Sequence, residues 1–416
     1  MFAPRTDPLL APIAPAAPAR MPAALVVLVL SLLLGIQPVT TDLYLPALPA
    51  LSASLVAPVA HARLTLSALL LAFGCSQLVW GPLSDRFGRR PVLLWGLGAY
   101  TVASMASTFA PSMAGLITAR IVQGAAMGAA VVCARAVVRD LYAPIEAAKV
   151  MSRGLSGLGL LACLSAPIGG LLSDAFGWRA ALLAVAVFGA GTLALVALRF
   201  TETLAIKNPL ALQPRSLLAA WRRIVGNPTF VAYCALTAAS YGGLFTFLAS
   251  SSFVFIGLLG LSKTQYGLLM LSMSLFYIFG TFLCRRLLPR FGLRKTVALA
   301  AALSLTGGTG MGLLAVLGVG STASVMLPFY VFMVGHGVHQ PCGQSGAVNP
   351  FATTAGTAAA LNGFLTMVVA FAISGWLALQ PEGSVRPLTD GVWFWSVCIA
   401  LAAWTLVQKY GEPAAA

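Results

Sequence analysis

Two charged side chains stand out because they fall inside, or at the edge of, long apolar stretches. Asp42 sits in the run Thr-Asp-Leu-Tyr-Leu-Pro-Ala-Leu-Pro from Thr41 to Pro49, and every other acid falls in a polar connection or a tail. Arg120 begins the run Arg-Ile-Val-Gln-Gly that ends at Gly124, roughly two turns into another apolar stretch. A guanidinium in such a place costs several kcal/mol unless it pairs or faces water. Burial favours the neutral form of a carboxyl group, whereas a nearby arginine favours the carboxylate. An Asp42–Arg120 pair at similar depth therefore offers reversible proton occupancy, with Asp42 as the proton site and Arg120 as its modulator. A helix cap at Asp42 and a snorkelling Arg120 are the structural alternatives.

His336 and His339 lie three residues apart on one helical face, in the run His-Gly-Val-His-Gln-Pro-Cys-Gly-Gln-Ser to Ser345, and histidine titrates near neutral pH. They are candidates for binding or proton movement. Two histidines without a third ligand are poor evidence for a metal, and the seven cysteines are odd in number, scattered and without a Cys-x-x-Cys pair. No catalytic triad, nucleotide-binding loop or metal cluster is legible, so an enzyme is not expected, nor is a cofactor beyond a proton gradient as energy source. Tyr44, Gln123, Tyr241, Phe245, Tyr277 and Phe279 are further candidates to line an apolar pocket with a few polar handles.

The elements that must position these groups are membrane helices. The chain has 416 residues, 59% hydrophobic and 8% charged, where a soluble protein carries about a quarter charged residues. A span needs about 20 apolar residues, and twelve fit: 23–44, 62–82, 91–109, 113–134, 151–172, 180–199, 228–252, 264–284, 296–318, 323–346, 355–379 and 391–409. The expected fold is all-α, with twelve transmembrane helices in two pseudo-symmetric six-helix bundles. A Pro- and Ala-rich tail (1–22), expected to be disordered, precedes the first bundle (23–199). A polar linker (200–227) ends in the helix-start signal Asn227-Pro228. The second bundle (228–409) and a short tail (410–416) follow. A cleaved signal peptide is not expected, because the first apolar stretch is too long.

The net charge of +15 raises nucleic acid as a partner, but its distribution speaks for topology. With a cytoplasmic N-terminus, twenty of the lysines and arginines fall on the cytoplasmic side, and Arg63, Arg179, Lys263 and Arg386 fall opposite. This bias puts both termini in the cytoplasm and leaves lipid as the expected contact of the basic surface.

Between the second and third spans, residues 81–93 read Gly-Pro-Leu-Ser-Asp-Arg-Phe-Gly-Arg-Arg-Pro-Val-Leu. A water-facing turn is expected there, with Gly81 and Gly88 allowing close turns and Asp85 accepting hydrogen bonds from Arg86, Arg89 or Arg90. The second half echoes it: Arg290-Phe291-Gly292 followed by Arg294 and Lys295, with Pro289 in place of the aspartate. Parallel repeats of this kind mark one class of transporter.

The 81–93 run resembles, position by position, the loop signature G-x-L-x-D-R-x-G-R-R-x-x-L of the major facilitator superfamily. Arg120 to Gly124 is similar to that family's R-x-x-Q-G motif of the fourth helix, associated with proton-coupled members. The run from Asp42 to Pro49, together with Arg-Ala-Val-Val-Arg-Asp-Leu-Tyr from Arg135 to Tyr142, resembles the Bcr/CflA group of twelve-span drug/proton antiporters. The resemblance implies alternating access and proton-driven export of drugs or small amphipathic compounds across a bacterial-type inner membrane. It also implies a cytoplasmic latch from Asp85 to the start of the eleventh span, at Thr353, Thr354 and Gly356, and it requires no oligomer. The fifth-helix motif G-x-x-x-G-P-x-x-G-G departs from pattern: Ala162 and Ala166 replace two glycines and Leu171 the last, while Pro167 and Gly170 persist. A bend and close helix approach are still expected there, but export direction is supported less firmly than fold. A metabolite transporter of the same fold and a transport-inactive membrane receptor are the alternatives.

Overall fold

The computed structural model describes residues 21–411 apart from 143, 206, 208–211, 352–353 and 382. The expected N-terminal tail therefore lies, but for Met21 and Pro22, outside the described residues, as do Thr353 and residues 412–416. The described residues form helices and no strand. In the first half these are α1 (Ala23–Asp42), the short α2 (Leu48–Ser54), α3 (Val59–Phe87), α4 (Arg89–Thr108), α5 (Met113–Leu141), α6 (Pro144–Phe176) and α7 (Trp178–Arg199). A connecting helix, α8 (Pro214–Val225), leads to α9 (Pro228–Ser252), α10 (Lys263–Val316), α11 (Thr322–Val348), α12 (Ala355–Ala378), α13 (Arg386–Leu401) and α14 (Val407–Tyr410).

Nine of the described helices are long and apolar enough to cross a membrane. One of them, α10, has 54 residues, or about 80 Å of continuous helix, far more than a bilayer core of about 30 Å. It breaks at Gly292, whose φ of 70° and ψ of 177° are not helical, and so supplies two crossings. α4 and α11, with 20 and 27 residues, are long enough to cross; α4 opens on two arginines and α11 carries histidines and glutamines. With these the twelve expected crossings are all present as helices. Gly292 is the glycine of the internal echo, and its counterpart Gly88 separates α3 from α4 in the first half.

The turn at 81–93 is much tighter than expected. Residues 81–87 continue α3 and residues 89–93 already belong to α4, so the reversal is confined to Gly88. Gly88 has φ 108°, and a Cβ there would meet the Glu202 carboxylate. That carboxylate accepts from the backbone N–H of Arg89 (2.9 Å) and of Arg90 (3.1 Å), satisfying donors that a helix start leaves without partners. Gly81 is an ordinary helical residue with nothing closer than Val132 at 3.9 Å to where a Cβ would sit.

The start of α9 follows the expected signal: Asn227 accepts from the Phe230 N–H at 3.1 Å and Pro228 opens the helix. Within the first half α1 packs on α6, α3 on α5, and α4 on α5 and α7; within the second, α10 packs on α11 and α13, and α9 on α11, α12 and α13. Between the halves α3 packs on α12, and α6 on α10. The α6–α10 approach uses the altered fifth-span motif. A Cβ at Gly170 would lie 2.5 Å from the Lys263 carbonyl oxygen, and one at Gly267 would lie 2.7 Å from the Ala166 oxygen. Pro167 is accommodated inside α6.

Candidate functional site

A cavity of about 370 Å³ lies between the two halves, with walls from α1, α3, α5, α6, α9, α10, α11 and α12. Asp42, Gln37, Tyr241, Tyr277, His336 and Arg135 are among the residues that line it. Asp42 ends α1, where Pro38 interrupts the helix four residues earlier, and its carboxylate accepts from the Thr41 hydroxyl at 2.7 Å. Among the described residues Asp42 is the only acid in this cavity wall.

Arg120 does not reach Asp42, and no ion pair joins them. The guanidinium is fully buried and donates to Gln123 Oε1 (2.7 Å) and to the main-chain oxygen of Thr40 (3.2 Å). It lies 4.2 Å from the ring centre of Tyr44, within cation–π range. Gln123 in turn donates to Ser104 (2.6 Å), the Thr40 and Tyr100 hydroxyls meet at 2.6 Å, and the Tyr44 hydroxyl bonds Thr65. Arg120 is thus the centre of a polar network that fixes α1 against α4 and α5. It is tied to the turn that carries Asp42 through the Thr40 carbonyl.

The sequence-selected pocket residues divide. Tyr241, Tyr277 and His336 line the cavity. His336 shares a hydrogen bond of 2.9 Å with Ser240, and its ring stands 5.6 Å from that of Tyr277. Tyr44 and Gln123 do not line it: both are fully buried in the arginine network. Phe245 is also fully buried and packs behind Tyr241, ring centres 6.4 Å apart. His339 turns away from the cavity toward the Val297 carbonyl, 3.4 Å distant, so the two histidines share a helix but not a site. Phe279 is 55% exposed and outside the cavity. Each misplacement has one cause: 3.6-residue periodicity gives the face of a helix but not which neighbour covers it.

On the side of the bundle that carries the linker, a second space of about 600 Å³ adjoins the first, sharing Gln77, Arg135 and Ala359. Asp85, Arg89 and Arg139 line it together with Thr354 and Gly356 of the α12 start and Trp221 of α8. Asp85 and α12 share this vestibule without a hydrogen bond between them. Asp85 instead accepts from Arg89 (2.7 Å), which also donates to Asp140 (2.8 Å) and Ser84 (2.6 Å). Arg90 donates to the Ala197 carbonyl (3.0 Å), and the Arg86 guanidinium lies 5.5 Å from the Phe87 ring centre. Among the described residues Asp85 makes no hydrogen bond to Thr354 or Gly356; Thr353 lies outside them.

On the far side, hydrogen bonds bridge the two halves. Arg63, only 8% exposed, donates to the main-chain oxygens of Ala249 (3.2 Å) and Leu377 (2.9 Å). Arg63, expected on the side opposite the cytoplasm, lies within α3 and bridges the two halves. Asp174 accepts from the backbone N–H (2.8 Å) and hydroxyl (2.6 Å) of Thr264, and Lys263 donates to the Ser173 carbonyl (2.8 Å). A carboxylate at the start of α10 is favoured by the helix dipole. Sequence reasoning missed these bridges, and also Gln37, Gln77 and Arg135 as cavity residues. Polar side chains inside apolar spans were the available signal.

The chain was compared with known proteins. It is 30% identical to "Multidrug resistance protein D" of Escherichia coli (strain K12), covering 93% of this chain and 97% of that protein. It is also 30% identical to "Bicyclomycin resistance protein homolog" of Haemophilus influenzae, covering 71% of this chain and 74% of that one. The fold matches the crystal structure of a D-xylose-proton symporter with a TM-score of 0.75 at 15% identity, over 94% of this chain and 99% of the other. The family model for the Major Facilitator Superfamily matches residues 30–375. With twelve helical crossings and a cavity between the halves, the chain is a membrane transporter belonging to the Major Facilitator Superfamily.

Proposed function

We propose that this transporter exports small amphipathic compounds, antibiotics among them, from the cytoplasm in exchange for protons. The observation that carries the proposal is the central cavity: it is lined by the carboxyl of Asp42, its far side is bridged by Arg63 and Asp174, and it continues into a vestibule on the linker side. The charge bias makes the linker side cytoplasmic, so this conformation takes its cargo from inside a bacterial-type cell. Asp42 then holds a proton or yields it when cargo binds, and Arg120 positions the Asp42 turn through Thr40. The bundles 23–199 and 228–409 rock about the cavity as a monomer in the lipid of the inner membrane. Opening outward breaks the Arg63 and Asp174 bridges and brings Asp85 toward the α12 start. The names of the relatives support drug compounds as cargo.

The test is expression in a bacterium lacking its main efflux systems, with growth measured across an antibiotic panel that includes bicyclomycin, and proton release followed in everted vesicles. Raised resistance together with compound-induced proton release is expected. Compound movement with no proton movement would sink the antiport reading.

A further inference from the structure

Arg135 is built unlike Arg120 of the same helix. Arg120, fully buried, is held by the Thr40 oxygen, Gln123 and the Tyr44 ring. Arg135 lies fifteen residues further along α5, about 22 Å toward the linker side, and is exposed. It lines both the central cavity and the vestibule, at their junction. Among the described residues it has no hydrogen bond, ion pair or ring contact. The carboxylates nearest its path are already taken: Asp85 and Asp140 share Arg89. Arg139, one turn on and also exposed, adds a second cation to the same vestibule.

Arg135 stands just past the apolar stretch 113–134, where α5 continues as helix to Leu141, and it borders both the cavity that holds Asp42 and the vestibule on the linker side. A guanidinium with five donors and no acceptor exposed between low-dielectric walls concentrates positive potential in the passage. It matches planar anionic groups through paired, charge-assisted hydrogen bonds.

We infer that Arg135 is a specificity-determining residue, and that it binds an anionic group, such as a carboxylate, of carried compounds at the junction of cavity and vestibule, favouring such compounds over cationic ones. The inference rests on the transport reading above and names the substrate class of that same cavity. Cationic amphiphiles are disfavoured at this point even though Asp42 lies beyond it.

The test uses the full chain purified in an uncharged maltoside detergent, which removes lipid phosphate as a competing anion. Equilibrium binding is measured for three probes of one shape: 4-nitrobenzoate, 4-nitrobenzamide and 4-nitrobenzylammonium. The carboxylate is expected to bind at least about tenfold more tightly than the ammonium, the size of one charge-assisted contact. Arg135→Gln should abolish that preference, Arg135→Lys retain most of it, and Arg135→Glu reverse it. A wild-type protein without the preference, or a glutamine variant that keeps it, overturns the inference. So does aggregation of all three variants, which would make Arg135 a folding residue. None of these results touches efflux of the antibiotic panel, whose loss in the wild type would instead end the transport reading.

Discussion

Arg63 of α3 donates from Nη1 to the main-chain oxygen of Leu377 at the end of α12, 2.9 Å away. A side chain of the first half thereby holds the backbone of the second. The acceptor is a carbonyl, so the bond tolerates changes in the side chain at 377 but depends wholly on the guanidinium. Hydrogen bonds from a charged donor contribute about 1.5–3 kcal/mol, enough to bias a two-state conformational equilibrium by tenfold or more.

Replacing that donor should therefore open the far side. In Arg63→Ala, Cys163, which lines the central cavity, should react faster with a membrane-impermeant maleimide added outside intact cells. Peptide mass spectrometry distinguishes it from Cys75, which is exposed, whereas Cys163 is half-buried. An unchanged Cys163 rate would remove Arg63 from the closure.

Asp42→Asn keeps the size of the side chain and an oxygen that can accept from Thr41, so folding should be retained. Compound exchange down a concentration gradient should persist while compound-induced proton release in everted vesicles disappears. Proton release at the wild-type rate would mean that another group carries the proton.

Arg120 has a different signature. Arg120→Ala leaves the Thr40 carbonyl and Gln123 Oε1 buried without their donor, and each unsatisfied buried group costs about 1–3 kcal/mol. A clear drop in thermal unfolding temperature in detergent is expected, unlike for Asp42→Asn. Equal stability of the two variants would show that the network around Tyr44 and Gln123 holds without its arginine.

At the first turn, Glu202→Ala removes the cap on Arg89 and Arg90, where losing a helix cap costs about 0.5–2 kcal/mol. Gly88→Ala should cost at least as much, since it adds an unfavourable positive φ and a clash with the same carboxylate. The pair should be less than additive, because the clash vanishes once Glu202 is shortened. Full additivity in thermal shifts would argue against their contact.

Cargo profile should follow the cavity wall and not the aromatic content of the spans. Tyr277→Ala and His336→Ala should change the pattern of compounds tolerated in the growth panel, whereas Phe279→Ala, exposed and off the cavity, should leave it unchanged. A shift caused by Phe279→Ala would mean that the carried compounds take a route other than this cavity.

By itself the sequence determined the class of protein. Too few charges to cover a water-facing surface, twelve apolar stretches and a one-sided excess of arginine and lysine are one-dimensional properties. The bilayer reads them directly, since a span must satisfy its own backbone as helix. The Asp42, Arg120 and 81–93 motifs were legible for the same reason: a charge in an apolar run stands out against its neighbours. Which helix covers which face was decided only by tertiary structure. It placed Tyr44 under Arg120 instead of in the cavity, parted His336 from His339, and reduced a thirteen-residue loop to the single reversal at Gly88 under Glu202, 114 residues away. It also turned Arg63 from a surface charge into a bridge and left Arg135 exposed at the cavity mouth. These outcomes depend on contacts between residues far apart in the chain, whose energies appear only when the halves pack.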